Sequence, residues 1–223
     1  MSRSKPKAKV VEDLMRKTQL RKDAVECLMM MFREMATKSK NADRLYVEKS
    51  RFKEMLYKEF AMTDDSLNER VFTAFDADRD QCISEEEWVI GFSIYLSKEN
   101  DEKKLRFMFR AYDIKDEGYI TRESMFYFLK GCFAMAVVSE EDAEEAPKDL
   151  VEIALKKLDF DKDSKVSYGD FAQIVSEEPL LIECLGTCLP QPHVIKKFST
   201  LIAGDKSPWM DKPTNYSKQQ IKY

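Results

Sequence analysis

The sequence predicts an all-α protein of two lobes. Each lobe is a pair of helix–loop–helix units with short β bridges between the loops, and a C-terminal helical extension follows. Three observations predict it. Two twelve-residue stretches, Asp76 to Glu87 (DADRDQCISEEE) and Asp159 to Asp170 (DFDKDSKVSYGD), carry carboxylates at positions 1, 3, 5 and 12. Apolar residues recur at three- and four-residue steps on both sides of these stretches, the spacing of one helical face. A third stretch of the same build, DIKDEGYITRES, opens at Asp113, so the unit repeats.

Composition narrows the function classes. The chain has 223 residues, 43% of them apolar, enough for one large or two small cores. Five cysteines, an odd and scattered number, make neither a disulfide framework nor a zinc site, which implies a reducing, cytoplasmic compartment. A net charge of −4 and a pI near 5.4 argue against nucleic acid as a partner. No apolar run reaches the roughly 18 residues of a membrane span. Ser2 stands where myristoylation requires glycine, so no lipid anchor of that kind is expected.

Residues 1–9, with Arg3, Lys5, Lys7 and Lys9, read as a basic flexible arm. Residues 10–97 form the first lobe. Val11, Leu14 and Met15, then Val25, Leu28, Met29, Phe32 and Met35, predict two helices broken near Thr18. The polar stretch ATKSKNADRLYVEKS follows, and Phe52, Met55, Leu56 and Phe60 resume the helical spacing. That stretch has no ring of acids. It is expected to be a hand that lost its ligands and kept its packing, its loop opening near Ser39 by the repeat.

The Asp76 loop has the ligand spacing of a calcium site. Ca2+ takes six to eight hard oxygen donors, and alternate positions of a tightly wound loop face inward. Asp76, Asp78 and Asp80 would supply side-chain oxygens, Cys82 its backbone carbonyl, Ser84 a water-bridged contact and Glu87 both carboxylate oxygens. With Val71, Phe72 and Phe75 before it and Trp88, Phe92 and Tyr95 after it, this is an EF-hand. Gln81 holds the sixth position, usually glycine. Left-handed geometry there costs about 1–2 kcal/mol, less than converging carboxylates on a divalent ion return.

Residues 98–178 form the second lobe. The Asp113 loop keeps Gly118 at the turn and Ile120 in the apolar slot, but Lys115 replaces an acid and Ser124 the closing acid. It is expected to be weak or empty, with the Lys115 ammonium in the space of a cation. The acidic run SEEDAEEAP at 139–147 reads as a solvated loop. Leu150, Val151, Ala154, Leu155 and Leu158 then lead into the Asp159 loop. There Asp159, Asp161 and Asp163, the Lys165 carbonyl and Asp170 form the ligand set. Asp170 is shorter than the usual glutamate, so coordination falls toward six and Mg2+ competes with Ca2+ at rest. Eighth-position residues, Ile83 in one lobe and Ile120 with Val166 in the other, are expected to form the β bridges.

Residues 179–223 are a C-terminal helix and tail. PLLIECLGTCLPQPH reads as a short helix ended by Gly186 and two prolines, and a second helical stretch covers Val194 to Leu201. Beyond it the tail is polar apart from Trp209 and Met210 and is expected to be mobile at its end. His193 is the sole histidine, and no phosphate-binding loop, nucleophile motif or acid pair stands outside the loops. The chain is not expected to be an enzyme.

Met62-Thr63-Asp64-Asp65, Val71 to Asp80, Leu150 to Asp161, and Cys188-Leu189-Pro190 with Pro192 carry a resemblance. In these stretches, and in the four-hand layout with a ligand-free first hand, the chain resembles the neuronal calcium sensor group. Within that group it resembles the calaxins, calcium sensors of ciliary outer-arm dynein. The resemblance implies a monomeric sensor in the axoneme of a cilium or flagellum. It would bind a dynein heavy chain and tubulin and alter beating when calcium rises. Independently of the resemblance, a groove opened by Ca2+ would draw on Phe32, Met55, Phe72, Trp88 and Phe92 in one lobe and Phe109, Met125, Phe126 and Phe171 in the other, while any one of them taken singly is expected to be core. Two alternatives stand beside the sensor reading: a regulatory subunit of a phosphatase, kinase or cyclase, and a calcium buffer.

Overall fold

The break expected near Thr18 falls at Gln19, whose φ of 58° is left-handed and ends the first helix. In the computed structural model, residues 8–38, 44–133 and 140–203 are described. In chain order the elements are α1 (Ala8–Thr18), α2 (Lys22–Met35), β1 (Thr37–Lys38), β2 (Leu45–Glu48), α3 (Lys49–Phe60), α4 (Asp65–Phe75), β3 (Cys82–Ile83) and α5 (Glu85–Tyr95). They continue with α6 (Glu102–Tyr112), β4 (Tyr119–Ile120), α7 (Arg122–Phe133), α8 (Glu140–Leu158), β5 (Val166–Ser167), α9 (Tyr168–Glu177), a 3-10 turn (Pro179–Glu183) and α10 (Pro192–Ala203). The fold is all-α with short antiparallel bridges.

Those bridges pair the hands as their spacing requires. Val47 of the first hand lies opposite Ile83, and Ile120 lies opposite Val166. Since Ile83 is eighth in its loop, Val47 is eighth in the first hand's loop. The repeat therefore opens that loop at position 40, one residue later than Ser39, and Ser39 itself lies outside the described residues.

Two compact units result. One takes in residues up to Thr63, Phe75–Glu99 and the chain from Pro190; the other takes Asp64–Ala74 and Asn100–Leu189. The grouping places Asp64–Ala74 and the residues from Asn100 up to Leu189 in the second unit and the chain from Pro190 in the first. Asp64–Ala74 joins the second unit, where Arg110 Nη1 donates to the Ala74 carbonyl oxygen at 3.1 Å. α10 joins the first unit, where the Phe198 ring lies 4.8 Å from Phe60 and 5.4 Å from Phe92.

Aromatic packing organises the core of the first unit. Trp88 meets Phe92 at 4.8 Å and Phe32 at 6.0 Å, and Phe52 meets Phe75 at 4.8 Å between centroids. Gly91 lets Phe75 lie flat against α5, because a Cβ there would stand 2.2 Å from Phe75 Cδ1. In the second unit, buried Phe171 lies 6.0 Å from Phe109 and 6.2 Å from Tyr112. The Tyr112 hydroxyl, with one proton to donate, lies within hydrogen-bond distance of the carbonyl oxygens of Ile182 at 3.1 Å and Gly186 at 2.9 Å, tying the chain at and after the 3-10 turn to the end of α6. Of the nine groove candidates, all but half-buried Phe126 are buried, so in this conformer they are core.

The acidic run at 139–147 is a correction. From Glu140 onward it is the start of α8, and Pro147 stands within the helix. Glutamate and alanine are good helix formers. The basic arm is shorter than expected, since Ala8 and Lys9 are already helical. Residues 1–7 of that arm, and Trp209 and Met210 of the tail, lie outside the described residues.

Candidate metal centre

All three loops share one backbone signature. Their fourth and sixth residues are left-handed: Arg79 at φ 63° and Gln81 at 64°, Asp116 at 58° and Gly118 at 85°, Lys162 at 62° and Ser164 at 69°. Gln81 and Ser164 thus adopt the geometry that glycine would take without strain. The double reversal turns the acids at alternate positions toward a common centre. Carboxylate oxygens of Asp76, Asp78 and Asp80 lie within 4.8 Å of one another, as do those of Asp159, Asp161 and Asp163.

In the Asp76 loop, backbone amides hold one oxygen of each acid. Gln81 donates to Asp76 Oδ2 at 3.0 Å, Asp80 to Asp78 Oδ1 at 3.2 Å and Cys82 to Asp80 Oδ1 at 2.9 Å. Glu87 closes the ring. Its Oε1 accepts from the amides of Ala77 at 2.8 Å and Asp78 at 3.1 Å, and its Oε2 from the Ser84 amide at 2.9 Å and hydroxyl at 2.7 Å. The Ser84 hydroxyl also accepts from the Glu87 amide at 3.3 Å, completing a reciprocal cap on α5.

Each of the three aspartates keeps a second oxygen. Asp76 Oδ1 is buried without a hydrogen-bond partner. Burial, with Glu87 and Asp80 adding repulsion, raises the Asp76 pKa against the amide bonds that lower it. A buried, unpartnered carboxylate oxygen is uncommon and costly. Set among three other acids, it fits a hard divalent cation that needs oxygen donors.

The Asp159 loop repeats the arrangement with a shorter closure. Asp163 and Ser164 donate to Asp159 Oδ1 and Oδ2 at 3.1 and 2.8 Å, and Lys165 donates to Asp163 Oδ1 at 2.8 Å. Asp170 Oδ2 accepts from the Ser167 amide and hydroxyl at 2.9 and 2.5 Å, and its bonds stop there. The Lys165 ammonium sits 3.9 Å from the centre of the Tyr119 ring, which draws its charge into a cation–π contact.

The Asp113 loop keeps the turn without the ligands. Glu117 and Gly118 donate to Asp113 Oδ1 and Oδ2 at 3.1 and 2.8 Å, so amides occupy both oxygens. Where the other loops pair a serine with an acid, buried Thr121 and Ser124 pair their hydroxyls at 3.2 Å. Lys115 holds the third position, where the other two loops carry Asp78 and Asp161, and like them it is exposed.

Two arginines were not legible as parts of this site. The Val47–Ile83 register puts Arg44 fifth and Arg51 twelfth in the ligand-free loop. Arg44 Nη1 lies 3.1 Å from Asp80 Oδ2, and Arg51 Nη1 donates to the Met35 carbonyl oxygen at 2.8 Å. Only the β register reveals these places, and no motif marks them.

Comparison with known proteins agrees with this geometry. An EF-hand domain pair model matches residues 102–176. Calaxin of Xenopus laevis is 44% identical over 178 residues, covering 79% of this chain and 85% of that one. Calaxin of Bos taurus is 39% identical, covering 81% of this chain and 85% of that one, and calaxin of Homo sapiens 37% identical, covering 84% and 88%. With helix–loop–helix pairs, two acidic loops and relatives of this extent, the chain belongs to the calaxin family.

Proposed function

We propose that this chain is a calcium sensor that regulates outer-arm dynein and, through it, ciliary or flagellar beating. The buried, unpartnered Asp76 Oδ1 inside a ring of acids is the observation that carries the calcium reading. Asp76, Asp78, Asp80, the Cys82 carbonyl and Glu87 form one ligand set. Asp159, Asp161, Asp163, the Lys165 carbonyl and Asp170 form the other. The dynein reading rests on the family and on the stretches between the loops.

A bound Ca2+ supplies two positive charges to each ring of acids. The chain's own residues carry the response. Glu87 sits in the first turn of α5, one residue before buried Trp88 and five before buried Phe92, so a shift of its carboxylate is a shift of the helix. Neighbouring Glu85 and Glu86 are ion-paired to Arg33 at 2.9 Å and Lys17 at 2.6 Å, and these pairs resist the shift. An ion that favours the shifted conformer populates it in proportion to its differential affinity, and aromatic side chains become available to a partner. At the Asp159 loop the short Asp170 leaves Mg2+ as a competitor at rest.

The test pairs two measurements on the full chain, in Ca2+ and in chelator. Fluorescence of an apolar dye is expected to rise with Ca2+, and ciliary extract is expected to yield a dynein heavy chain, with tubulin, on the immobilised chain. Calcium heat without new dye binding would replace the sensor with a buffer. Retention of a phosphatase, kinase or cyclase instead of dynein would make the chain that enzyme's regulatory subunit.

A further inference from the structure

The ligand-free first hand is not electrostatically silent. Its Arg44 reaches across the β2–β3 bridge, with Nη1 3.1 Å from Asp80 Oδ2 and Nη2 4.0 Å from Asp78 Oδ2. In both acids the other oxygen, Oδ1, already accepts a backbone amide of the loop. The guanidinium therefore contacts the remaining oxygen at the fifth ligand position and lies within ion-pair range of the one at the third.

By register, Arg44 stands at the fifth position of its own loop, where Asp80 stands in the neighbouring one. A place that holds an acid in the neighbouring loop thus holds a fixed cation here, and it is turned toward that loop. The partner of the Asp159 loop has nothing equivalent, because the fifth residue of the Asp113 loop is Glu117.

We propose that Arg44 is a built-in counter-cation of the Asp76 loop that lowers the loop's affinity for Ca2+. It does so by competing for the carboxylates of Asp78 and Asp80. Like charge beside the centre repels an incoming divalent ion, and each contact with the guanidinium must loosen before both acids are free to bind. About half of the Arg44 and Asp78 side-chain surface is exposed, so solvent weakens the effect and added salt weakens it further. The same contact relieves repulsion among the gathered acids when no ion is bound, so the metal-free loop keeps its shape. One residue thereby sets how much calcium is needed for the first unit to respond.

The proposal rests on the reading that the Asp76 loop binds Ca2+, and titration calorimetry of the full chain separates the two. R44Q removes the charge, R44M keeps the aliphatic stem in case R44Q fails to fold, and R44K keeps the charge. R44Q or R44M is expected to tighten one of two Ca2+ sites roughly threefold to tenfold, the scale of an exposed ion pair facing a doubly charged ion. The second site should not move, R44K should stay near the parent, and the difference should shrink between low and high salt. An unchanged site overturns the proposal. A weakened one does too, because Arg44 would then be orienting ligands rather than competing with the ion. Absence of any Asp76-loop heat in the parent, with E87Q indistinguishable from it, would remove the underlying reading as well.

Discussion

Glu87 Oε1 accepts the amide of Ala77 from the far side of its loop, at 2.8 Å. The closing acid therefore lies inside the ring before any ion is considered, and it serves both the loop and the cap of α5. Glu87→Gln keeps the size but removes the charge, and its amide nitrogen cannot accept the backbone N–H groups that one Glu87 oxygen accepts. It is expected to abolish one Ca2+ site and leave the Asp159 loop titrating alone. Calorimetry of the variant decides: two sites with unchanged affinities would exclude Glu87 as a ligand.

Asp170 makes the opposite prediction. Its carboxylate reaches Ser167 and goes no further, one methylene short of what Glu87 achieves. Asp170→Glu should restore the second oxygen, tighten Ca2+ at this loop by about tenfold and blunt competition by Mg2+. Ca2+ titrations with and without millimolar Mg2+ measure both effects. Equal Mg2+ competition in parent and variant would mean that acid length does not govern selectivity here.

Phe198 packs against both Phe60 and Phe92, so α10 covers aromatic surface of the first unit. Phe198→Ala should cost about 3–5 kcal/mol of stability in that unit, the usual loss for a buried phenylalanine. It should also raise apolar-dye binding in chelator, where the parent binds little. Thermal unfolding and dye fluorescence test the pair of effects, and a stable variant with parental fluorescence would show that α10 covers nothing of consequence.

Lys104 is a buried amine whose pKa is lowered to about 8, first by burial, with Glu183 and Asp101 opposing. Between pH 8 and the unperturbed value near 10.5, the unfolded chain binds this proton and the folded chain releases it. Stability therefore rises with pH across that window, at up to about 1.4 kcal/mol per pH unit. Cys184, pushed up to about 12 by burial, acts in the opposite direction once the unfolded thiol ionises near 9. Below pH 9 the rise comes chiefly from the lysine, because the unfolded thiols of Cys184, Cys27 and Cys82 are not yet mostly ionised there. Lys104→Met should flatten the rise there in urea denaturation, and an unaltered slope would assign it to another group.

Much of this architecture was legible because ligand spacing is a strong constraint. Acids at alternate positions, with apolar faces on both sides, determined the two acidic loops and the bridges at Ile83 and Ile120 with Val166. The absence of a ligand ring marked the first hand, and Lys115 with Ser124 set the third loop apart from the two acidic ones. Three features were not legible, each for a physical reason. Glu140 to Ala146 has the composition of a solvated loop and equally of a helix start, and the helix prevails. Phe198 looks like any apolar residue of a terminal helix, and only tertiary packing shows what it covers. Arg44 acquires its role from a strand register that no local pattern specifies.

Arg51 occupies the place in the first hand where Glu87 closes the second, and its guanidinium holds the carbonyl of Met35 at the end of α2. The clasp is supplied by the chain itself and not by an ion. Chelator does not remove it, and calcium does not form it. The first hand thus joins its two helices through an arginine at the place where the Asp76 hand uses an acid.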